Sequence, residues 1–168
     1  ANNAALLGSS KSGWVLGYLK DSPGPRLAWT WQSDNSWDTN LLFSADLSVG
    51  AWYHIAVSRD GSNDIRMFVD GTQVGSTESD STSFVTTEGL WVGGGYNNTT
   101  RLLDGFMGEV RISDTARYTA NFTPKARGEQ FTADANTKLL IHSDWEGGLG
   151  ADSSGNYNNF TATNLVAT

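Results

Sequence analysis

The chain has 168 residues, enough for one domain with a real core, and its 11 basic and 18 acidic residues leave a net charge of −7. That balance repels a polyanion, and no Lys/Arg cluster overrules it, so nucleic-acid binding is not expected. The absence of cysteine rules out disulfides, thiolate metal sites and a cysteine nucleophile, and no apolar run approaches the roughly 20 residues that insertion across a membrane requires.

Glycine is plentiful at 19 residues, proline scarce at 3, and aromatics make up 11%. Short β-prone runs punctuated by Gly, Asn, Asp and Ser predict an all-β sandwich or barrel. No segment keeps a helical repeat for more than about two turns. Residues 1–5 (ANNAA) have neither an initiator Met nor a charged opening segment, so no signal peptide is expected and the chain reads as an excised or processed part of something longer.

In chain order, residues 14–19 (WVLGYL) form a first strand with Trp14, Leu16 and Tyr18 on one face. A turn at Asp21-Ser22-Pro23-Gly24-Pro25 leads into residues 26–32 (RLAWTWQ), its hairpin partner, with Leu27, Trp29 and Trp31 sharing a side. Residues 33–40 are expected as a polar loop carrying Trp37, and residues 41–43 (LLF) as a short buried strand. The clearest signal is residues 51–75 (AWYHIAVSRDGSNDIRMFVDGTQVG). Here Tyr53, Ile55 and Val57 alternate with Trp52, His54, Ala56 and Ser58, and Ile65, Met67 and Val69 alternate with Arg66, Phe68 and Asp70. These six apolar side chains are expected to share one inter-sheet core. Asp70-Gly71 is a tight-turn signal that closes the meander.

Residues 77–83 then read as a connection and 89–93 (GLWVG) as a strand, running into the flexible loop Gly94-Gly95-Tyr96-Asn97-Asn98. In residues 103–112, Val110 and Ile112 point inward while Glu109 and Arg111 point out. Ser113 or Asp114 is positioned to cap one short helical turn near 114–118, which Pro124 helps to terminate. A polar link over 131–137 precedes a strand at 138–142 (KLLIH), a tight turn at 152–156 and a last short strand at 159–163.

Three pieces carry a family resemblance: residues 52–71 (WYHIAVSRDGSNDIRMFVDG), residues 103–124 (LDGFMGEVRISDTARYTANFTP), and residues 138–144 with 151–163 (KLLIHSD and ADSSGNYNNFTAT). They resemble the concanavalin A-like lectin/glucanase superfamily in its laminin-G-like and pentraxin-like branch. The resemblance implies a two-sheet antiparallel jelly-roll sandwich. Its wording is also similar to domains of marine tailed-bacteriophage virion proteins, notably tail-fibre and other surface proteins. The third piece resembles the strand that usually opens such a domain, and the N-terminus is expected to lack an opening strand of its own. Residues 1–168 are accordingly expected as one domain, in which 131–168 either completes the sandwich as a permuted strand or begins a following domain. For 138–142 the expectation is insertion into a sheet of the same domain.

Glucanases of this fold place paired carboxylates on one strand, and no such run occurs here: Glu109 has Met107 and Arg111 at two-residue spacing. The two histidines, His54 and His142, read as ordinary strand residues, and no nucleophile elbow surrounds a serine. The chain is expected not to be an enzyme. Relatives of the resembled branch often bind calcium through loop oxygens, which nominates Asp60, Asn63 and Asp64 in one loop and Asp144, Asp152 and Asn156 in another. Turn chemistry accounts for the same residues and is the favoured reading.

Sugar rings stack on aromatic faces while amides read their hydroxyls. Loop aromatics available for this are Trp37, Tyr96, Trp145 and Tyr157, with Asn97, Asn98 and Arg101 beside Tyr96. Trp14, Trp52 and Trp91 are expected in the core, whereas Trp29 and Trp31 suit either the core or an exposed platform. The expected function is a non-catalytic virion-surface module of a tailed phage, multimeric on the particle, whose partners are host-surface glycans or neighbouring virion subunits. The rival is a carbohydrate-binding or glycoside-hydrolase-type domain of an extracellular bacterial protein.

Overall fold

The computed structural model describes residues 3–9, 13–20, 24–33, 36–83, 89–94, 101–142 and 150–162, with the backbone alone for 32, 33 and 36–39. The period-two runs become strands β1 (Ala4–Ser9), β2 (Gly13–Leu19), β3 (Arg26–Ser33), β4 (Ser36–Ser44), β5 (Ile55–Arg59), β6 (Asp64–Val69), β7 (Thr72–Ser79), β8 (Leu90–Val92), β9 (Val110–Ser113) and β10 (Thr137–Ile141). All their pairings are antiparallel. The described chain falls into two compact units, Ala1–Gly105 with Tyr118–Pro124, and Phe106–Arg117 with Lys125–Thr168.

The first unit is the sandwich. One sheet has five strands in the order β4-β3-β2-β1-β8 and the other has three in the order β5-β6-β7. The β2–β3 hairpin sets Leu16 opposite Trp29 and Tyr18 opposite Leu27. Leu16, Leu27, Trp29 and Phe43 of the larger sheet meet Ile65 and Met67 of the smaller in one buried cluster. Ile55, Val57 and Val69 pack against that cluster, as the alternation predicts. Tyr53 serves a local bond instead, accepting the Ser48 amide on its hydroxyl at 2.9 Å. Trp29 and Trp31 are buried, and the Trp14 ring stacks on Trp29 with centroids 5.2 Å apart, so this pair builds the core and not a platform.

The outer face of β6 departs from expectation. Phe68, predicted on the polar side, is fully buried. The segment Tyr118–Pro124 lays Tyr118 and Phe122 over it, with ring centroids 6.2 and 5.5 Å from Phe68. Those two rings stack at 3.5 Å, and His54 meets both edge-on. Hydrogen bonds fix the cover: the Phe122 amide donates to the Gly71 carbonyl, and the Gln73 amide donates to Asn121 Oδ1, both at 2.9 Å.

Several boundaries also shift. The N-terminus does have its own strand: β1 pairs with β2 and with β8, placing Leu7 opposite both Leu16 and Val92. The expected polar loop at 33–40 is largely β4, and β7 runs on to Ser79. Trp52, expected in the core, is 45% exposed. No helix occurs among the described residues, and 114–118 is a series of bends. There the Asp114 amide donates to the Asn136 carbonyl, and Arg117 donates to Ser113 Oγ and forks onto both Asp134 oxygens at 2.6 Å. The segment's polar groups are thus held by side chains and by a distant loop, not by a helical ladder.

In the second unit, β10 pairs with β9 as a two-stranded ladder, Leu139 opposite Ile112 and Ile141 opposite Val110. Val110, Leu139 and Leu140 are its buried apolar residues. The last strand expected at 159–163 is absent over 159–162, where the Phe160 amide donates to the Gly150 carbonyl at 2.8 Å.

Candidate functional site

The loop between β5 and β6 shows what its acidic residues do. Asp60 Oδ1 accepts the amides of Ser62 and Asp64, at 2.9 and 3.1 Å. Its Oδ2 takes Arg66 Nη1 at 2.6 Å, while Arg66 Nη2 reaches Asp64 Oδ2 at 2.9 Å. Asn63 makes the turn with a left-handed φ of 66°. The hydrogen bond from Arg66 holds the Asp60 carboxyl below its ordinary value, and Asp60 in turn raises Arg66. A calcium ion here would have to displace a guanidinium from both carboxylates, so Asp60, Asn63 and Asp64 form an ion-paired turn that does not fit the ion.

The second calcium candidate is also spoken for. Asp152 Oδ1 accepts the Leu140 amide at 3.0 Å and the Ser154 amide at 2.9 Å. Its Oδ2 accepts Ser154 Oγ at 2.8 Å and the Asn158 amide at 2.9 Å. Burial works against this charge, but the donations from the Leu140, Ser154 and Asn158 amides and the Ser154 hydroxyl outweigh it and hold the carboxyl below its ordinary value. Asn156 Nδ2 donates to the carbonyls of Thr137 and Lys138, and Asn158 Nδ2 donates to that of Lys138 at 2.9 Å. The Ser153 amide adds a bond to the Leu140 carbonyl at 2.7 Å.

In an antiparallel ladder, alternate residues direct their backbone groups to the same edge. Lys138 and Leu140 therefore present the edge of β10 that β9 leaves unpaired, and the loop 152–158 clips onto it. Asp144, the remaining calcium candidate, lies outside the described residues. Among the described residues, no group of three or more His, Cys, Asp or Glu side chains could hold a metal ion.

Of the saccharide candidates, Tyr96, Asn97, Asn98 and Trp145 and the side chain of Trp37 lie outside the described residues. Arg101 is exposed and left-handed at φ 59°, and its carbonyl accepts the Ala5 amide at 2.8 Å. The Gly93 amide donates to the Leu6 carbonyl and the Leu103 amide donates to the Gly93 carbonyl, both at 2.9 Å. The segments that flank residues 95–100 are thereby tied to each other and to β1. Tyr157 stands 84% exposed, and Trp52, expected in the core, is a surface aromatic on the face of its run opposite Tyr53, Ile55 and Val57.

Glu109, the acid nearest a strand, is engaged. Its Oε2 shares a hydrogen bond with His142 Nδ1 at 2.6 Å and accepts the Phe131 amide at 3.1 Å. Arg111, expected to point out, lies over the Phe131 ring at 4.2 Å.

Residues 1–121 match the laminin-G-type family model described as the concanavalin A-like lectin/glucanases superfamily, which takes in β1 to β9. No curated protein and no solved structure matches the chain. With most of its length under that match and an all-β, two-sheet antiparallel sandwich in its first unit, the chain belongs to the concanavalin A-like lectin/glucanase superfamily.

Proposed function

We propose that this chain is a non-catalytic adhesion module that binds host-surface glycans, displayed in many copies on the surface of a tailed-phage particle as part of a tail fibre or a decoration. Membership of a superfamily compatible with carbohydrate binding carries the reading. The flanks of residues 95–100 support it, because Gly93, Arg101 and Leu103 are hydrogen-bonded to each other or to β1 on the sandwich, and binding residues are usually carried by connections on a rigid scaffold. A glycosidase needs two carboxylates about 5–10 Å apart. Glu109 has neither a carboxylate neighbour at strand spacing nor a free role, being bonded to His142 and Phe131. The virion location extends the resemblance noted for residues 52–71, 103–124, 138–144 and 151–163.

A shallow rim site of this kind has an expected affinity of about 0.1–1 mM, and useful attachment then comes from multivalency. Bead-coupled protein should bind a host-glycan array, and Tyr96→Ala should lower that binding about tenfold or more. Equal binding by both proteins would place the site elsewhere. A multivalent parent that binds no glycan would favour packing against neighbouring virion subunits and overturn the adhesion reading.

A further inference from the structure

We propose a second saccharide contact in the C-terminal loop, with Tyr157 as its stacking residue and neutral hexoses as its ligand class. The inference rests on the carbohydrate-binding reading above but lies outside residues 1–121, which match the family.

Tyr157 is 84% exposed, so its ring adds nothing to a core. Its φ of 59° is left-handed, a conformation that crowds a side chain against its own backbone and suits Gly or Asn far better. The sequence therefore keeps a bulky aromatic where the backbone disfavours one and packing does not ask for it. An outlier of that kind is a reason to look for function.

The surroundings present the ring rather than bury it. Asn156 and Asn158, its two neighbours, are anchored through their side-chain amides to the Thr137 and Lys138 carbonyls at 2.9 Å. The Asn158 amide is further tied to Asp152 Oδ2 at 2.9 Å. Tyr157 thus stands between two fixed points, and binding would order little that is not already ordered. A flat, solvent-facing aromatic ring suits the apolar C–H face of a pyranose, while the asparagine amides on either side hold the turn that presents it. Net charge −7 and the nearby Asp152 disfavour acidic sugars, which leaves neutral ones.

The probes are immobilised β-1,3-glucan, α-mannan and galactan, with alginate as the acidic comparator, and the proteins are the full chain and its Tyr157→Gly variant. Glycine relieves the left-handed backbone, so the expected result is an unchanged or raised Tm. Retention on at least one neutral polysaccharide should fall about tenfold or more, as loss of one of two linked contacts implies. Tyr157→Phe keeps the ring and should retain most of the binding. A lowered Tm in Tyr157→Gly would make the ring structural and overturn the proposal. A parent that binds while Tyr157→Gly binds equally would overturn this inference alone. A parent that binds none of the three neutral probes would overturn it together with the carbohydrate reading. Retention on alginate alone would overturn the assignment to neutral sugars.

Discussion

Asp152→Ala should release the clip from β10 and cost the second unit about 3–5 kcal/mol. One carboxylate accepts four donors, and hydrogen bonds to a charged group are worth about 1.5–3 kcal/mol each, discounted here because they are not additive and the loop is half open to water. The loss should appear as faster hydrogen exchange at the Leu140 amide, which would keep its β9 neighbours but lose its acceptor. Asp152→Asn retains one carbonyl oxygen and should fall between the two. Unchanged protection at Leu140 would show that the clip does not hold the strand.

The same unit should weaken in acid. Asp134 is held well below the usual carboxylate range, chiefly by the Arg117 guanidinium and then by the Thr137 hydroxyl, and Asp152 is also lowered. A carboxylate whose pKa falls on folding contributes stability above its unfolded value, about 3.9, and loses it as pH drops toward the folded value. Stability should therefore hold from neutral pH down to about 4 and decline below it, less steeply in Asp152→Ala.

Gly71→Ala should be the most damaging single change in the sandwich, at about 3–5 kcal/mol. Gly71 has φ +76°, where an L side chain is strained by about 1–2 kcal/mol. An added Cβ would also overlap the Phe122 carbonyl oxygen and lie 3.0 Å from Pro124 Cδ. The backbone that must give way carries the rings covering Phe68, so the cost includes uncovering a buried aromatic. Near-UV circular dichroism should report loss of the Tyr118–Phe122 stack alongside the fall in Tm. Gly61→Ala is the control, since a Cβ there meets nothing within 4 Å, and it should change little. Equal effects from the two substitutions would contradict this account of Gly71.

The residues that made the fold legible were those whose partners lie nearby. Residues 55–69 alternate cleanly and pair across a short turn, and the β2–β3 hairpin closes locally in the same way. β1 was missed because Ala4–Ser9 is rich in small residues with little strand preference, and half of its bonding comes from the distant β8. Phe68 was assigned to solvent because a period of two identifies both faces of a strand but not what covers the second one. Its cover arrives from Tyr118 and Phe122, far along the chain. The acidic loops were ambiguous for a chemical reason: Asp and Asn serve turns, cations and backbone clips alike. Only the register of residues 152–158 against β10 decides for Asp152, and only Arg66 two residues on from Asp64 decides for Asp60.

The central claim, attachment to carbohydrate without turnover, is tested most directly by incubating multivalent parent protein with a neutral β-glucan, α-mannan or galactan. Retained protein and released reducing ends are then read from the same sample. The account predicts retention on at least one of them, with reducing ends at the blank level in parent and Glu109→Gln alike. Reducing ends that appear with the parent and vanish in Glu109→Gln would contradict it, and so would a parent retained on none of the three.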